Sequence, residues 1–352
     1  MNNFKKITAM SLVAVIAASF TACSNPKWAF QAGDFEVTSG VYIGYTLSAY
    51  TTASQHKDYN KEEKDMFKQT LDGKSASDYI KEEATKYSKN YLAINSKFKE
   101  LNLEFIDKDI NVINTNVKSA WEKAGKMYEK NGVSKASYQK IVESQRKNEL
   151  IFKSIFGKDG TKAISDDDLL IHFKENYASI NVFSIPIKTG DKITDADKAN
   201  NEVLKTKAEE YVKNINDGHK FNVVKDYYTH YIEKTEHKDT DDEHMKTIKD
   251  DKDTKTLIGK NDTQIPEKIK TSIFEAKVDQ ATLISDEQGY YVIYRYDVTK
   301  DKTQFDGMRD GLLYDLKGED YEKMLEEFVT ALDVKTNDAA IKKFKPKNIV
   351  FK

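Results

Sequence analysis

Three histidines, His230, His237 and His244, follow one another at intervals of seven residues in a very polar stretch of the chain. Ligands to one transition-metal ion must converge, because each histidine nitrogen binds at about 2 Å from the ion. On a single helix this spacing separates neighbouring histidines by about 10 Å, since the rise is about 1.5 Å per residue. The three side chains therefore cannot share one metal ion, and we interpret them as a solvated surface row.

Other motifs that could carry chemistry are also weak. The acidic stretch from 239 to 253 lacks the glycine turn and ligand order of an EF-hand, so we expect a mobile loop there, with adventitious binding of divalent ions as the alternative. Whether the wider polar stretch 233–264 is ordered is left open. The sequence contains no glycine-rich phosphate loop, Gly-x-Ser-x-Gly motif or paired cysteines. Tyr79, Tyr87 and Tyr91, at helical spacing, are expected in the core, with a sugar-binding surface as the alternative. Spacing alone identifies no enzyme, metal site or cofactor.

The composition describes an ordinary globular chain with a strongly charged surface. Of the 352 residues, 32% are charged and 39% hydrophobic, and 17 Phe and 20 Tyr are available to fill cores. The length is sufficient for two domains. The 56 basic and 58 acidic residues are interspersed and give a net charge of −2. Because no basic block or stripe is present, the sequence argues against a nucleic-acid partner.

The N-terminus carries a targeting signal. Lys5 and Lys6 precede an apolar run over residues 7–20, which is shorter than the about 20 residues that span a bilayer. Phe20-Thr21-Ala22-Cys23 follows and resembles a bacterial lipobox, although leucine is usual where Phe20 stands. Cys23 is the only cysteine, so an intramolecular disulfide is excluded. We predict a lipoprotein signal peptide over 1–22, lipidation of Cys23 and an anchor on the extracytoplasmic face of the cell membrane; an ordinary secretory signal is the alternative.

Strand signals cluster between residues 178 and 298, and almost everything else has helical periodicity. Residues 180–187 predict one strand, and residues 281–296 predict a hairpin around Asp-Glu-Gln-Gly. After residue 300 we expect only helices: two amphipathic runs and a short last helix capped by Asn337. The predicted fold class is α+β, a mainly α-helical body with an inserted small antiparallel-sheet module. The predicted domains are 23–164, completed by helices of 300–352 that pack on it, and the module at 165–299.

Three stretches resemble the PrsA/SurA-type extracytoplasmic foldases, which contain a parvulin-type isomerase module. Residues 164–177 are similar to the helix that leads into that module. Residues 208–221 are similar to its first helix and the following Gly-x-x-Phe turn. Residues 273–277 and 289–293 are similar to its last helix and closing strand. The order of these stretches covers nearly the whole chain.

The resemblance also implies where a peptide would bind. The two histidines of active parvulins fall at Ser184 and Tyr291, and the proline pocket falls at Ile265 and Ile269, with Phe274 retained. Because both histidines are absent, we expect a parvulin-like fold with weak or no isomerase activity and name no catalytic residue. The candidate peptide-contacting residues are Ser184, Ile185, Ile265, Ile269, Phe274 and Tyr291.

The sequence therefore predicts a lipid-anchored extracytoplasmic chaperone or foldase that assists secreted proteins without a metal or nucleotide cofactor. Its expected partners are unfolded or partly folded polypeptides and, through the lipid, the membrane; homodimer formation is left open. The first alternative is an active peptidyl-prolyl cis–trans isomerase with altered catalytic residues. The others are a solute- or glycan-binding lipoprotein and a purely structural envelope protein.

Overall fold

A computed structural model describes residues 26–233 and 255–350 of the chain. Two compact units form, one from the described residues up to Ile151 together with those from Lys323 onward, and the other from Phe152 to Glu322, without the undescribed part. The signal peptide and Cys23 lie outside the described residues. Within the described ranges no helix combines the length and apolarity that crossing a bilayer requires.

Ten helices and nine strands are described. The helices are α1 Ser39–Ser54, α2 Ala76–Glu100, α3 Asp107–Lys130, α4 Lys135–Phe156, α5 Asp166–Asn176, α6 Asp195–Asn216, α7 Phe221–Glu233, α8 Glu267–Glu275, α9 Lys302–Thr330 and α10 Asp338–Lys343. The strands are β1 Trp28–Ala32, β2 Phe35–Thr38, β3 Thr70–Leu71, β4 Lys74–Ser75, β5 Tyr177–Pro186, β6 Thr256–Gly259, β7 Gln280–Ser285, β8 Gly289–Tyr296 and β9 Lys335–Thr336. The predicted α+β class is confirmed.

The unit that contains both ends of the described chain is built on α1, α2 and a three-stranded sheet. β1 pairs antiparallel with β2 and with β9, so the expectation that only helices follow residue 300 is wrong. Two-residue β9 carries no periodic signal of its own and is held by pairing with Phe30 and Gln31. The two amphipathic runs expected before it form the single helix α9. The core includes Phe30 and Leu92, which are almost fully buried.

The other unit is organised around a four-stranded sheet in the order β6-β5-β8-β7, with every neighbouring pair antiparallel. The predicted strand at 180–187 and the predicted hairpin are confirmed and share this sheet. β6 was not predicted. It lies in the polar stretch 233–264, whose order was left open, and pairing with residues 177–180 orders four residues that show no alternation of their own. His237, His244 and the whole acidic stretch from 239 to 253 lie outside the described residues.

Local hydrogen bonds fix the hairpin and protect the edge of this sheet. The Asp286 carboxylate accepts from the backbone N–H of Gln288 at 2.8 Å and of Gly289 at 3.1 Å, which closes the turn between β7 and β8. At the edge strand β7, the Asn216 side-chain amide donates to the Ala281 carbonyl at 3.1 Å and accepts from the Ala281 N–H at 2.7 Å. The outward backbone groups of Ala281 are thus satisfied, as an exposed edge requires.

Candidate functional site

The two faces of the four-stranded sheet have different neighbours. Alternate residues of a strand point to opposite faces, so Ala178, Ile180, Val182 and Ser184 share one face of β5. Helix α8 covers the first half of this face through Ile269 and Ile273. In the second half Val182 is 40% exposed and Ser184 is exposed. The sheet therefore presents a covered half and an open half on the same face.

We call Val182, Ser184 and Tyr291 the open face. Ser184 in β5 is directly opposite Tyr291 in β8, and Val182 is opposite Ile293, so all four side chains point the same way. Ile293 is buried beneath this surface, and Tyr291 packs against the buried cluster that contains it. The open face thus combines one exposed β-branched side chain with two hydroxyl groups on two paired strands.

Tyr291 is already engaged by a carboxylate. Its hydroxyl donates to both oxygens of Asp286 at 3.2 Å. Partial burial, and then the hydrogen bond and negative charge of Asp286, raise the pKa of Tyr291 above its ordinary value, so the phenol stays protonated at neutral pH. A serine hydroxyl also stays protonated in this range. Ser184 and Tyr291 can therefore make hydrogen bonds to a peptide, but neither is a group that titrates near neutral pH.

The structure brings together five of the six residues predicted to contact peptide. Ile269 belongs to the buried cluster under α8, and Ile265, Phe274 and Tyr291 are partly buried against it. Ser184 lies on the same face as these residues. Ile185 points to the opposite face and is fully buried, so its predicted contact with peptide is wrong. Strand alternation is the physical reason, because neighbours such as Ser184 and Ile185 cannot share a face.

The opposite face of the sheet is a closed core. Phe183 contacts three aromatic side chains of α6 and α7, with ring centroids 5.4 Å from Tyr228, 5.5 Å from Phe221 and 6.0 Å from Tyr211. The same cluster contains Ile185 and the buried side chains of α6. Because this core occupies one face of the sheet, the side chains accessible to a ligand lie on the opposite face, which α8 partly covers. The packed core gives that face a rigid support.

Val182 of the open face and Asp286, the hydrogen-bond partner of Tyr291, were not among the predicted contacts. Val182 was part of the predicted strand, and its place two residues before Ser184 puts it on the same face. Asp286 was assigned only to the hairpin turn, and its hydrogen bond to Tyr291 follows from the tertiary structure. Alternation in β5 could have identified Val182, whereas the sequence carries no signal for the role of Asp286.

The other unit holds an open groove of about 640 Å³ between α2 and the last turns of α9. Its lining is mostly charged, including Lys81, Glu82, Lys86 and Glu326. Tyr79, Tyr87 and Tyr91 pack against the core cluster of this unit instead of forming a sugar-binding platform.

A histidine and two aspartates converge in the same unit. Within the described residues His56, Asp58 and Asp72 bring ligand atoms within 4.8 Å of one another. The Asp58 N–H donates to His56 Nδ1 at 3.2 Å, so the neutral ring carries its proton on Nε2, which donates to Asp72 at 3.2 Å. Both ring nitrogens of His56 therefore have hydrogen-bond partners. The cluster joins a loop to the turn between β3 and β4. His230 contacts Asp226 on its own helix.

Comparison with known proteins returns structural similarity only. No protein-family model matches the chain, and no curated protein matches it. The chain is similar to the crystal structure of foldase protein PrsA from Streptococcus pneumoniae, with 13% identity, a TM-score of 0.34, and coverage of 76% of this chain and 89% of that chain. For PrsA from Lactococcus lactis the identity is 11% and the TM-score 0.35, over 91% of this chain and 99% of that chain.

PrsA from Bacillus subtilis has 14% identity and a TM-score of 0.22, over 92% of this chain and 91% of that chain. The structural similarity is to the same type of protein that the sequence motifs resemble. At these identities and TM-scores the similarity carries no argument about activity, which must come from the residues of this chain.

Proposed function

We infer that this protein is a lipid-anchored extracytoplasmic chaperone that binds unfolded segments of secreted proteins on the open face, and that its module has weak or no isomerase activity. One observation carries the proposal: Val182 is 40% exposed in a central strand, beside Ser184 and Tyr291, on a sheet whose other face is closed. An exposed apolar side chain flanked by hydroxyl groups suits a tolerant contact with many peptide sequences, because it selects neither one shape nor one charge.

The rigidity of the support favours binding of extended polypeptide. Val182, Ser184 and Tyr291 lie on strands that pair along their length, and the cluster under α8 contains Ile180, Ile284 and Ile293. A surface that is already ordered loses little entropy on binding. The flexible client therefore bears most of the ordering cost, which is consistent with weak, reversible holding rather than tight capture.

Weak isomerase activity follows from the groups at the open face. Rotation about a prolyl bond has an activation energy of about 20 kcal/mol. Lowering it requires groups preorganised around the rotating carbonyl. The Tyr291 hydroxyl donates a hydrogen bond to Asp286, and Ser184 is exposed on its strand, so the two hydroxyl groups are not preorganised around one carbonyl position. This part of the proposal rests on the described residues of the module.

The experiment is a paired assay on the full chain. Aggregation of a chemically unfolded client is followed by light scattering at near-stoichiometric protein, and cis–trans exchange of a proline tetrapeptide is followed in parallel. We expect suppressed aggregation and an exchange rate close to the uncatalysed rate. Clear acceleration of exchange that is lost on changing Phe274 or Tyr291 would replace the proposal with an active isomerase.

Saturable binding of one small solute without suppression of aggregation would instead indicate a solute- or glycan-binding lipoprotein. If neither solute binding nor suppression is seen, a structural envelope protein is indicated. Aggregation, cis–trans exchange and solute binding, measured together, therefore separate the four interpretations of the sequence.

The membrane anchor is tested separately. Cys23 and the apolar run before it support lipidation, and Cys23→Ala removes the thiol that would carry the lipid. We expect the variant to accumulate unprocessed or to leave the membrane fraction. A variant that is processed and fractionates like the wild-type protein would reject the lipid anchor but not the binding surface.

A further inference from the structure

A cavity lies on the same side of the sheet as α8, near the end of β8 that is farther from the open face. It has a volume of about 410 Å³ within the unit of Phe152–Glu322, and Lys260, Phe274 and Arg295 contribute to its lining. Arg295 is four residues after Tyr291 on the same strand, which is about 13 Å in extended backbone. The cavity is therefore distinct from the open face.

Arg295 is held in place by main-chain acceptors. One Nη donates to the Phe274 carbonyl at 2.5 Å and to the Ala276 carbonyl at 2.9 Å. Its guanidinium carbon lies 5.7 Å from the centroid of the Phe274 ring. No carboxylate among the described residues forms an ion pair with it, and burial lowers its pKa from the ordinary value. The guanidinium is thus oriented, partly desolvated and without a counter-charge in the described part of the chain.

Lys260 brings a second cation to the same ring. Its Nζ lies 5.6 Å from the Phe274 centroid, and it also has no ion pair among the described residues. Lys270 differs, because it contacts Glu267 at 2.8 Å and donates to the Asp262 carbonyl at 2.9 Å. The cavity therefore holds one neutralised cation and two, Lys260 and Arg295, whose charges are not neutralised by a described neighbour.

We propose that this cavity binds a carboxylate group of a client peptide, received by Arg295 and Lys260, with the Phe274 ring against the adjoining apolar chain. This rests on the proposed function, because it specifies the chemistry of one client group. Guanidinium groups bind carboxylates through paired hydrogen bonds, and one Nη of Arg295 already fixes the orientation of the fork.

Two acidic side chains also line the cavity. Glu175 and Glu275 are exposed to solvent and form no ion pair with Lys260 or Arg295 within the described ranges. Because water screens these two charges, they weaken the attraction of the two cations for an anion without cancelling it. A Glu or Asp side chain or a C-terminal carboxylate of the client would provide the anion.

The test uses the full chain and three labelled peptides of the same apolar sequence, read by fluorescence anisotropy. Two have blocked ends and carry a central Glu or Gln, and the third carries Gln with a free C-terminal carboxylate. We expect the Glu peptide to bind about fivefold more tightly than its blocked Gln twin, with the difference falling at high salt. Comparison with the third peptide shows whether a side-chain or terminal carboxylate is preferred.

Matched variants assign the effect to the cavity. Lys260→Gln should abolish the preference for Glu, while Lys268→Gln, at an exposed lysine of α8 outside the cavity, should keep it. Glu275→Gln should increase the preference because it removes a repelling charge. Arg295→Gln should also abolish the preference for Glu. Because Arg295 donates hydrogen bonds to two backbone carbonyls, this variant is interpreted only if its circular dichroism spectrum is native.

Equal affinity for all three peptides, binding of none of them, or an unchanged preference for the carboxylate peptide in Lys260→Gln would overturn the carboxylate site. Aggregation of the unfolded client is measured with the same protein preparations. Suppression with no carboxylate preference rejects the cavity proposal and leaves the proposed function intact, whereas absent suppression rejects the function itself.

Discussion

Ser184 and Tyr291 are direct neighbours across β5 and β8, and the tyrosine hydroxyl is hydrogen-bonded to Asp286 in the turn that precedes β8. Direct neighbours in antiparallel strands have β-carbons about 5 Å apart, so the two side chains form one small surface. The hydroxyl of Tyr291 is committed to a carboxylate, whereas the exposed Ser184 is accessible to a peptide. A surface of this kind can bind polypeptide without the means to catalyse its isomerisation.

The Asn216 side chain should protect the sheet edge. Asn216→Ala leaves the outward N–H and carbonyl of Ala281 without their partner, so we expect a loss of about 1–2 kcal/mol in unfolding free energy and increased self-association. Urea denaturation and size-exclusion chromatography measure these effects. Asn201→Ala is the control, because Asn201 makes the same two-way contact with the exposed Lys188, which lies beyond the end of β5 and in no strand. Equal effects of the two changes would contradict a specific role at the edge.

Gly289 should be required where β8 approaches β5. A β-carbon at this position would lie 2.4 Å from the Ile185 carbonyl oxygen, which is backbone and cannot move aside cheaply. We expect Gly289→Ala to destabilise the protein by about 1–3 kcal/mol. Gly307→Ala in α9 meets no atom within 4 Å and should stabilise by about 0.5–1 kcal/mol. Thermal unfolding measures both, and a stable Gly289→Ala variant would show that the strands can separate without cost.

A nearly buried ion pair should join α3 to α4. Asp109 is 2% exposed and accepts from Arg146 at 2.5 Å and 2.8 Å and from the Ile106 N–H at 3.0 Å. Asp109→Ala leaves Arg146 partly buried without this partner, so we expect a loss of about 3 kcal/mol. Glu149→Ala removes an exposed partner of the same arginine and should cost less than about 1 kcal/mol. Similar losses of unfolding free energy for the two variants in chemical denaturation would contradict the predicted dependence on burial.

The buried tyrosines should make stability sensitive to alkali. Burial, and then the nearby charge of Glu210, raise the pKa of Tyr211 to about 12, whereas an unfolded tyrosine titrates near about 10. The folded state therefore favours the neutral phenol. This contribution is complete below about pH 10 and is lost as the pH rises toward 12.

Urea midpoints across this range should fall less steeply for Tyr211→Phe than for the wild-type protein. Tyr314→Phe, at an exposed position, should follow the wild-type curve. Identical slopes for the wild-type protein and Tyr211→Phe would contradict the predicted linkage.

The sequence predicts the long elements well because their signals are local. Ser165 and Thr194 are residue types that favour helix starts, and each side chain accepts a backbone N–H of the helix that follows. The hairpin of β7 and β8 also follows from its alternation and turn residues. β6 and β9 were missed because four and two residues cannot carry a periodic signal, and pairing with distant strands decides their structure.

The candidate site was predictable only in part. The register of β5 against β8 places Ser184 beside Tyr291, as the resemblance implied, but strand alternation excludes Ile185. Arg295 and Lys260 were not recognised, since isolated basic residues are common in a chain with 56 of them. Their shared contact with Phe274 depends on the position of α8 over the sheet, which only the tertiary structure provides.

Site-specific photo-crosslinking tests the central proposal most directly. A photoreactive amino acid replaces Val182 on the open face or Val203 on α6, which is 50% exposed and serves as the matched control. The full chain is irradiated with a chemically unfolded client and, separately, with the same client in its native state. We predict strong crosslinks from position 182 to the unfolded client alone and weak crosslinks from position 203. Equal crosslinking from both positions, or none from position 182, would contradict the assignment of the open face as the client-binding surface.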